Sequence, residues 1–403
     1  MDSARWVRAA VFGLVLAASL AASPWRYPQT SDGGSILATA RSLWSHGTLS
    51  IDASFTRDNG YAPSAKPGVD GRAYAKYGVG AAVWLVPWLV ISDSASAATG
   101  ADPGRVEPSV LSFVNPLLTA AAAATVAALA MLLGATRGRA AALGVAYGAT
   151  TLAWAYAGTD HTEALQAWLV ASASMALASF ERAPRARAAL WIGIPLAGGL
   201  LVKPTLVVLV PAFAVGALVA CGPTRRRPAT WLPVLLGLGV PLAIAAATWM
   251  GLNWSRFGSP LATAYNEPVM TNPIATGLYG YVLSINKGLP WYAPVVVVAP
   301  LGLWRLRQAA PGTVTAIAVG AVLWLVTNAR FYDWGGGWCW GPRYLLPIVP
   351  GLVAAAAPVL ASMAGRAVVG TLAAAGLGVT LLGVVISEEA YRCTMWQVWL
   401  VEE

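Results

Sequence analysis

The sequence predicts an all-α protein that crosses a membrane many times. Of its 403 residues, 57% are apolar and only 11% are charged, whereas a soluble domain has roughly a quarter charged residues. Uncharged stretches such as 108–136, 140–159 and 228–253 reach the roughly 20 residues that a helix needs to cross a hydrocarbon core. They are rich in Ala, Leu, Val and Gly and do not alternate between polar and apolar residues, which indicates helices and not barrel strands. A soluble enzyme is excluded.

The net charge of +9 is found in nucleic-acid-binding proteins and in membrane proteins with basic cytoplasmic loops. The second interpretation is favoured, because Lys and Arg cluster in short segments between apolar stretches. Cys221, Cys339 and Cys393 have neither metal-ligand nor Cys-x-x-Cys spacing. There is no Walker or Rossmann glycine motif, no Gly-x-Ser-x-Gly and no His-Glu-x-x-His. We therefore expect no nucleic-acid partner, no metal site and no required cofactor, although the many acidic residues leave room for a divalent cation.

The first apolar stretch, 6–23, contains Arg8 and ends in a small-residue segment that resembles a cleavage site. A cleaved signal peptide and an uncleaved first helix both fit this pattern. We expect the helix to be kept, because a polytopic chain usually retains its first span.

Basic segments predict the orientation of the chain, because cytoplasmic loops are enriched in Lys and Arg. These segments are Arg5/Arg8, Arg137/Arg139, Arg182/Arg185/Arg187, Arg225 to Arg227, Arg305/Arg307 and Arg366. If all of them face the cytoplasm, one outward and one return helix join each consecutive pair, and a last helix leaves the C-terminus outside. The eleven predicted spans are 6–23, 108–134, 139–158, 161–180, 188–202, 204–220, 229–252, 290–304, 311–329, 343–363 and 367–386.

A further apolar run, 79–92, would break this alternation if it crossed the membrane. It has only 14 residues and contains Pro87, and so short a run is more typical of an interfacial or re-entrant segment. We therefore expect a juxtamembrane helix here, within a long first external loop at 24–108. We expect a single transmembrane domain over 1–403 without a soluble C-terminal domain, and its other large external loops are predicted at 253–290 and 330–342.

In this topology, 15 of the 17 acidic residues lie on the external side of the membrane. Chemistry that requires carboxylates is therefore expected on the external face. Frequent use of Ala and Arg is typical of a high-GC bacterium. We accordingly expect a multi-pass protein of a bacterial plasma membrane with a cytoplasmic N-terminus.

Asp32 follows the first span, in the segment Ser31-Asp-Gly-Gly-Ser35. Ser31 or Asp32 would cap a helix that runs through 37–44. Asp32 would also lie at the membrane surface, where a carboxylate can act as general base at the head group of a lipid-borne substrate. These two roles are compatible.

Lys76 and Tyr77 precede the predicted juxtamembrane helix, and Lys203 interrupts two apolar runs. A lysine at this depth either extends its amine to the aqueous interface or binds a phosphate near a helix N-terminus. An ionisable group between spans is a functional candidate and usually has an anionic partner. Both lysines are therefore candidates for phosphate binding.

The segment 159–163 places Asp160, His161 and Glu163 at the outer junction of two predicted spans. Asp160 and Glu163 are three residues apart and therefore lie on one face of the helix that begins there. They either form a capping box or contact a substrate. One histidine beside two acids is weak support for a metal.

The last external loop combines aromatic residues, glycines, Asp333 and Arg343 within 331–344. Glycine allows the backbone to approach a ligand closely. Aromatic faces such as those of Trp338 and Tyr344 suit a sugar, and arginine suits a phosphate. An interfacial aromatic turn is the alternative.

Together these segments resemble the GT-C superfamily of lipid-carrier-dependent glycosyltransferases, in particular protein O-mannosyltransferases and lipid A aminoarabinose transferases. Asp32 matches the essential aspartate of their first external loop. Ala75-Lys-Tyr-Gly-Val-Gly80 is similar to their carrier-phosphate segment but departs from its Lys-Pro-Pro-Leu form. Asp160-His-Thr-Glu163 falls where relatives carry an acid. Gly199-Leu-Leu-Val-Lys-Pro204 and Gly341-Pro-Arg-Tyr-Leu-Leu-Pro347 are similar to a Thr-Lys-Gly/Pro turn and an Arg-Tyr-Leu-x-Pro segment.

The resemblance implies a GT-C-like helical bundle that transfers a sugar, with inversion, from a polyprenyl-phosphate donor to a hydroxyl of a lipid, glycan or protein acceptor. Asp32 would be the general base, and the donor phosphate would be bound by Lys76, Lys203 and Arg343. Contacts to the sugar or acceptor are expected from Tyr77, Asp160, His161, Glu163, Asp333, Trp338 and Tyr344. The alternatives are a transporter or flippase of a lipid-linked saccharide and an inactive GT-C-like partner subunit.

Overall fold

The structure, a computed structural model, describes residues 2–23, 27–51, 65–222, 228–262, 269–337 and 339–386. Within these ranges the chain is almost entirely helical, which confirms the predicted all-α class. The α-helices are α1 (Asp2–Ala21), α2 (Ser31–His46), α3 (Val79–Thr99), α4 (Pro103–Leu111), α5 (Val114–Leu132), α6 (Arg137–Ala149), α7 (Ala153–Ala157), α8 (Glu163–Arg182), α9 (Ala186–Val202), α10 (Val210–Ala220), α11 (Pro228–Phe257), α12 (Ile274–Val282), α13 (Leu289–Tyr292), α14 (Ala299–Leu306), α15 (Pro311–Arg330), α16 (Val349–Ala355) and α17 (Met363–Val385).

Short 3-10 helices and a small sheet complete the described chain. The 3-10 helices are Pro204–Leu209, Pro294–Val298, Arg343–Ile348 and Val359–Ala361. The strands β1 (Ser50–Ile51), β2 (Ala65–Pro67) and β3 (Ala73–Ala75) pair antiparallel in the order β1-β3-β2. This sheet lies in the first loop, between α2 and α3.

The protein is a membrane protein. Among the described residues, seven helical segments are long and apolar enough to cross a membrane: Ser3–Ala21, Val79–Thr99, Pro103–Leu132, Trp231–Phe257, Pro311–Arg330, Arg343–Ala361 and Met363–Val385. Three shorter apolar segments, Arg187–Val202, Pro204–Ala220 and Pro294–Leu306, coincide with predicted spans. The total of eleven crossings stays a prediction.

The segment predicted as a 14-residue surface helix is longer in the structure. Helix α3 has 21 residues and accommodates Pro87 in its interior. It continues because the Ser- and Ala-rich residues after 92 do not interrupt it before Gly100, whose φ of 68° ends the helix as is typical of a glycine C-cap. The predicted length of 14 residues, which favoured an interfacial position, is therefore wrong. The juxtamembrane placement of α3 remains a prediction.

The span predicted as one helix over 139–158 is divided into α6 and α7. The hydroxyls of Thr150 and Thr151 each donate to a carbonyl oxygen one turn earlier, at 2.8 and 2.6 Å, and such bonds bend helices. The backbone N–H of Leu152 donates to the carbonyl oxygen of Tyr292 at 2.8 Å. The break thereby ties this helix to α13.

Small residues allow the helices to approach closely. A β-carbon at Gly148 of α6 would lie 2.6 Å from a methyl group of Val15 in α1, and one at Gly216 of α10 would lie 2.6 Å from the carbonyl oxygen of Gly312 in α15. Close contact through glycine and alanine is the usual packing mode of helices in lipid, where apolar burial alone gives no preference for a partner helix. The many small residues of the sequence therefore allow the helices to pack closely against one another.

The basic loops that the structure describes lie at one end of the bundle, where Arg182 Nη2 donates to the carbonyl oxygen of Met131 at 3.4 Å. There the Glu181 carboxylate accepts the N–H and hydroxyl of Thr313 at 2.9 and 2.7 Å, at the N-terminus of α15. Arg305 Nη1 donates to the carbonyl oxygen of Pro358 at 3.2 Å. The first loop, the N-terminus of α8 and the C-termini of α9, α11 and α15 lie at the other end.

Candidate functional site

A cavity of about 290 Å³ lies at the end of the bundle away from the basic loops. It forms where the first loop meets α8, α9, α11, α15 and the 3-10 helix that begins at Arg343. The predicted site residues that line it are Asp32, Lys76, Tyr77, Glu163, Lys203, Asp333, Arg343 and Tyr344. Side chains predicted from separate segments of the chain therefore meet in one place.

Asp32 lies in the first turn of α2 and faces the cavity. The Tyr77 hydroxyl donates to Asp32 Oδ1, and Arg343 Nη2 lies 3.7 Å from Asp32 Oδ2. The expectation that Ser31 or Asp32 caps this helix is wrong, because the N-cap is Thr30, whose hydroxyl oxygen accepts a backbone N–H of the first turn at 3.0 Å. The Asp32 carboxylate is therefore directed at the cavity and not at its own helix.

Asp160 holds the start of α2 and does not line the cavity. It is 4% exposed, and its carboxylate accepts the N–H of Gln29 at 2.6 Å and the N–H and hydroxyl of Thr30 at 2.9 and 2.8 Å. Asp160 is not among the residues that line the cavity, and its expected contact with a sugar or acceptor stays a prediction. Nor does Asp160 form a capping box on α8, whose N-cap Thr162 makes no side-chain cap bond. Because Thr30 caps the helix that carries Asp32, Asp160 positions Asp32.

His161 lies beside Arg343 and is 4% exposed. Arg343 Nη1 is 2.8 Å from Nδ1 and 3.1 Å from Nε2 of the imidazole. The side-chain amide of Asn115 donates to the carbonyl oxygens of Thr159 and His161 at 2.6 and 2.8 Å, which fixes this turn. His161 is not among the cavity-lining residues, but it contacts Arg343, which is. Its expected contact with substrate stays a prediction.

Lys203 follows the last residue of α9 and is 27% exposed in its side chain. Its Nζ lies 3.8 Å from Glu163 Oε1 and 4.2 Å from the ring centroid of Tyr344. Burial lowers the pKa of Lys203, and Glu163 opposes this shift. The ion pair provides the anionic partner expected of a lysine between spans, and the cation still borders the cavity.

Lys76 and Tyr77 reach the cavity because the first loop packs tightly against the end of α9. A β-carbon at Gly78 would lie 2.2 Å from the carbonyl oxygen of Leu201, so only glycine permits this approach. Lys76 Nζ lies 5.2 Å from the Tyr77 ring centroid. Since the Tyr77 hydroxyl is bonded to Asp32, the loop places a cation near that carboxylate.

The glycine-rich loop after α15 is held by Lys287, which the sequence did not single out. Lys287 Nζ donates to the carbonyl oxygens of Gly337, Cys339 and Gly341 at 3.3, 2.7 and 3.3 Å. Gly337 and Gly341 have φ values of 68° and 62°, which favour glycine. The loop therefore presents Arg343 from a backbone that side-chain hydrogen bonds hold in place.

The other predicted site residues of this loop are Asp333, Tyr344 and Trp338. Asp333 lines the cavity, and its Oδ1 accepts the N–H of Gly337 at 3.0 Å. The Tyr344 ring centroid lies 4.9 Å from the guanidinium carbon of Arg343. Trp338 lies outside the described residues, so its predicted contact with a sugar stays a prediction.

The wall contributed by α11 is not among the predicted site residues. It consists of Trp249, Asn253, Arg256 and Phe257. The first three follow an i, i+4, i+7 spacing, which places them on one helix face. This spacing could have indicated the wall from sequence, but within an apolar span the same spacing is also found for interfacial residues.

The carboxyl groups of Asp32 and Asp160 have pKa values that are shifted in opposite directions. Burial alone would raise the pKa of Asp32, but nearby positive charge, Arg343 foremost, and the Tyr77 hydrogen bond bring it below its ordinary value. Burial raises the pKa of Asp160, in spite of its three hydrogen-bond donors. The lowered pKa favours the carboxylate form of Asp32 at neutral pH.

Within the described ranges, no group of three or more His, Cys, Asp and Glu side chains is placed to hold a metal ion. The carboxylate of Asp32 faces Arg343 and that of Glu163 faces Lys203. Each of these two acids therefore has a cation within 4 Å, and the room left for a divalent cation stays a prediction.

We expect Gly33→Ala to displace the start of α2. A β-carbon at Gly33 would lie 1.9 Å from Asp160 Oδ2, and overpacking of this kind costs about 1–3 kcal/mol. Thermal unfolding should therefore occur at a lower temperature, and proteolysis within the first loop should be faster. The control is Gly251→Ala in α11, where no atom lies within 4 Å of the new β-carbon. Equal unfolding temperatures and proteolysis rates for the two variants would contradict the role of Asp160.

No protein-family model and no curated protein sequence matches this chain. Solved structures with the same arrangement of helices do exist. AglB, an archaeal oligosaccharyltransferase from Archaeoglobus fulgidus solved with an inhibitory peptide and a dolichol-phosphate, superposes with a TM-score of 0.56 at 12% identity, over 97% of this chain and 56% of AglB. ArnT from Cupriavidus metallidurans, solved with undecaprenyl phosphate, superposes with a TM-score of 0.57 at 15% identity, over 91% of this chain and 62% of ArnT.

The Archaeoglobus fulgidus oligosaccharyltransferase was also solved with Zn and sulfate, and that structure superposes with a TM-score of 0.52 at 12% identity, over 95% of this chain and 53% of the other. This chain thus spans little more than half the length of the solved chains that it resembles. At such low identity the likeness establishes the fold. The GT-C-like fold predicted from the sequence is confirmed.

Proposed function

We propose that this protein transfers a sugar from a polyprenyl-phosphate-linked donor to an acceptor hydroxyl on the non-cytoplasmic face of the membrane. The observation that carries the proposal is that one cavity contains the Asp32 carboxylate together with the cations Lys76, Lys203 and Arg343. A base and a phosphate-binding cluster are what this transfer requires, because the activated bond arrives with the lipid. Two solved proteins of the same fold were bound to dolichol-phosphate and undecaprenyl phosphate, which supports such a carrier.

Arg343 is the proposed centre of the donor-phosphate site. Its Nε is buried and has no hydrogen-bond partner in the part of the chain that the structure describes. Its 3.7 Å separation from Asp32 exceeds the length of about 2.7–2.9 Å typical of a charge-assisted hydrogen bond. A phosphate oxygen would therefore satisfy a donor that the protein leaves unused, and Lys203 and Lys76 would share the remaining charge.

The proposed reaction is a single displacement at the anomeric carbon. The acceptor oxygen forms a bond to this carbon as the bond to the phosphate oxygen breaks, and the electron pair of the broken bond stays on the polyprenyl phosphate. Asp32 takes the proton of the acceptor hydroxyl. Arg343, Lys203 and Lys76 stabilise the charge that develops on the leaving phosphate. Attack from the side opposite the phosphate inverts the anomeric configuration.

The remaining cavity wall supplies candidate contacts to the sugar and acceptor. Tyr77, Glu163, Asp333 and Tyr344 line it and offer hydroxyl, carboxylate and aromatic surfaces. A sugar presents hydroxyl groups and an apolar ring face, which these surfaces complement. We propose that these residues orient the transferred sugar relative to Asp32.

The proposed external location of the cavity follows from the charge distribution. Several basic segments are assigned to the cytoplasm by the positive-inside rule, and those that the structure describes join helix ends remote from the cavity. The acids Asp32, Glu163 and Asp333 line the cavity itself. This separation supports an active site on the non-cytoplasmic face, with a cytoplasmic N-terminus.

The test is a transfer assay with purified protein in liposomes, a labelled polyprenyl-phosphate sugar and total lipid, glycan and protein acceptors from the membrane of a bacterium. We expect labelled acceptor and free polyprenyl phosphate. A flippase would instead move the label across the bilayer without transfer, and an inactive subunit would bind the lipid without turnover. Both alternatives are disfavoured by the position of the charged cluster at one end of the bundle, since a transport pathway is expected to have charges in mid-span.

Asp32 is also expected to contribute pH-dependent stability. Because its pKa is lower in the folded protein than the ordinary value of about 3.9, its contribution is fully present above that pH and is lost as the pH falls through the folded-state pKa. The difference in unfolding free energy between the wild type and Asp32→Asn should therefore be constant from about pH 7 to 5 and decrease below about pH 4. Unfolding measured across this range checks the prediction. A difference that disappears between pH 7 and 5 would contradict it.

A further inference from the structure

We infer a second anion-binding subsite in the cavity, at Arg256, that recognises a carboxylate or phosphate group carried by the acceptor or by the transferred sugar. This inference rests on the proposed function, because it assigns a chemical class to the group that lies opposite the donor phosphate. None of the steps proposed above uses Arg256.

Arg256 is a buried cation that borders the cavity. It is 6% exposed and lines the cavity wall. Its Nε donates to the carbonyl oxygen of Leu252 at 3.1 Å, and its Nη2 donates to Asn253 Oδ1 at 3.0 Å. Both acceptors are neutral groups of its own helix, so they orient the guanidinium without neutralising it.

Among the ion pairs of the described residues, none includes Arg256. Burial of a charge without a countercharge is strongly unfavourable, and such a charge beside a cavity is a candidate for ligand binding. The acid of the adjoining turn, Asp70, accepts the Tyr74 hydroxyl at 2.7 Å and the N–H of Arg72 at 3.1 Å. An anionic ligand would supply the charge that these partners do not.

The surroundings of Arg256 differ from those of the donor-phosphate cations. Its guanidinium carbon lies 5.1 Å from the ring centroid of Phe257, and the Tyr74 ring packs edge-on against the same ring at 6.1 Å. Lys66 Nζ lies 5.7 Å from that centroid. The N–H of Val69 donates to the carbonyl oxygen of Arg256 at 2.8 Å. This corner is therefore built by α11 and the turn between β2 and β3, whereas Arg343 contacts Asp32, His161 and Tyr344.

The cavity as a whole carries more positive than negative charge. Its described cations are Lys76, Lys203, Arg256 and Arg343, and its described acids are Asp32, Glu163 and Asp333. A single donor phosphate occupies one cluster of these cations. A second anionic group at Arg256 would meet the one described lining cation that lies outside this cluster. It would also fix the orientation of the ligand that bears it, because two separated charge contacts define a direction.

The test measures binding, so that it does not depend on turnover. Wild-type protein is first saturated with undecaprenyl phosphate and then titrated with glycerol 3-phosphate or, as the neutral counterpart, glycerol. In a second arm, undecaprenyl phosphate carrying a hexuronic acid is compared with the same lipid carrying a neutral hexose. The variants are Arg256→Gln, Arg256→Lys and the exposed control Arg105→Gln on α4.

We expect the charged probe to bind more tightly than its neutral counterpart in one arm, and that arm identifies the source of the anion. Arg256→Gln should weaken that binding roughly tenfold or more, the effect of one lost charge-assisted contact. Arg256→Lys should lose only part of it, and Arg105→Gln none. Unfolding of unliganded Arg256→Gln should not occur at a lower temperature, since a buried charge without a countercharge is removed.

Two results would overturn the inference. One is that neither charged probe binds the wild type better than its neutral counterpart. The other is that Arg256→Gln leaves the affinity for both charged probes unchanged. Failure of the proposed function would be distinct, because undecaprenyl phosphate itself would then bind no more weakly to Arg343→Gln than to the wild type. Glycerol 3-phosphate titrated without lipid would still test Arg256 in that case.

Discussion

Asp32→Asn is expected to lower the rate of sugar transfer by roughly 100- to 10,000-fold, the contribution of a general base. Asparagine has nearly the same shape but cannot take the acceptor proton. Binding of undecaprenyl phosphate should not weaken, because the variant removes the carboxylate that lies 3.7 Å from Arg343 and competes with phosphate for it. Single-turnover transfer from a labelled donor and a separate binding titration measure the two quantities.

The matched control is Asp102→Asn in the same loop. Asp102 is exposed and caps α4 by accepting the N–H of Gly104 at 3.2 Å, and Asn is an equally good N-cap residue. Transfer by this variant should equal that of the wild type. Wild-type transfer by Asp32→Asn would remove Asp32 as the base, and an equal loss in both variants would indicate a general effect on the loop.

Arg343→Gln is expected to weaken binding of undecaprenyl phosphate by roughly 10- to 100-fold, because one charged hydrogen-bonding group is lost. The rate of transfer at saturating donor should fall by a further 100-fold or so, since charge on the leaving phosphate is stabilised most in the transition state. Equilibrium binding and saturation kinetics separate the two effects.

Arg105→Gln serves as the control for this prediction, because Arg105 is exposed on α4 and its loss changes the net charge equally. An effect of Arg343→Gln on transfer without an effect on lipid binding would show that the phosphate lies elsewhere. Equal weakening in both variants would show that only long-range charge matters. Either result would contradict the assignment of Arg343 to the donor phosphate.

The helical class of the fold was predictable because its signal is simple and long. An uncharged stretch that is long enough to cross a bilayer is expected to be helical, because the backbone must satisfy its own hydrogen bonds there. The structure confirms that these stretches are helical. Helix interruptions were less predictable. The break at Thr150 and the extension of α3 to Thr99 depend on hydrogen bonds and packing that apolar content does not record. Length counted from apolar residues alone therefore misjudged α3.

The cavity residues were predictable where a charged or polar group interrupts an apolar sequence. Asp32, Lys203 and Arg343 stand out for this reason, and the fold brings them together. Asp160 is equally conspicuous in sequence, yet its carboxylate is used by backbone and hydroxyl groups of Gln29 and Thr30, more than 100 positions away. No local pattern distinguishes an acid that meets a ligand from one that holds another segment.

Arg256 lines the cavity but was not predicted as a site residue. It lies in the last turn of a long apolar helix, where an arginine ordinarily extends to the membrane surface. Its burial results from the turn between β2 and β3, which packs over the end of α11 through the bond from Val69 to Arg256. This contact joins distant parts of the chain, so the sequence alone did not separate Arg256 from an anchoring residue.

The most direct measurement of the central proposal is an experimental density map of the purified protein with undecaprenyl phosphate. We predict phosphate density within hydrogen-bond distance of Arg343, with Lys203 beside it and Asp32 at the open side of the cavity. Phosphate density at the opposite end of the bundle, among the basic loops near Arg305, would contradict the proposal. So would density that leaves the cavity at Arg343 and Asp32 empty at saturating lipid.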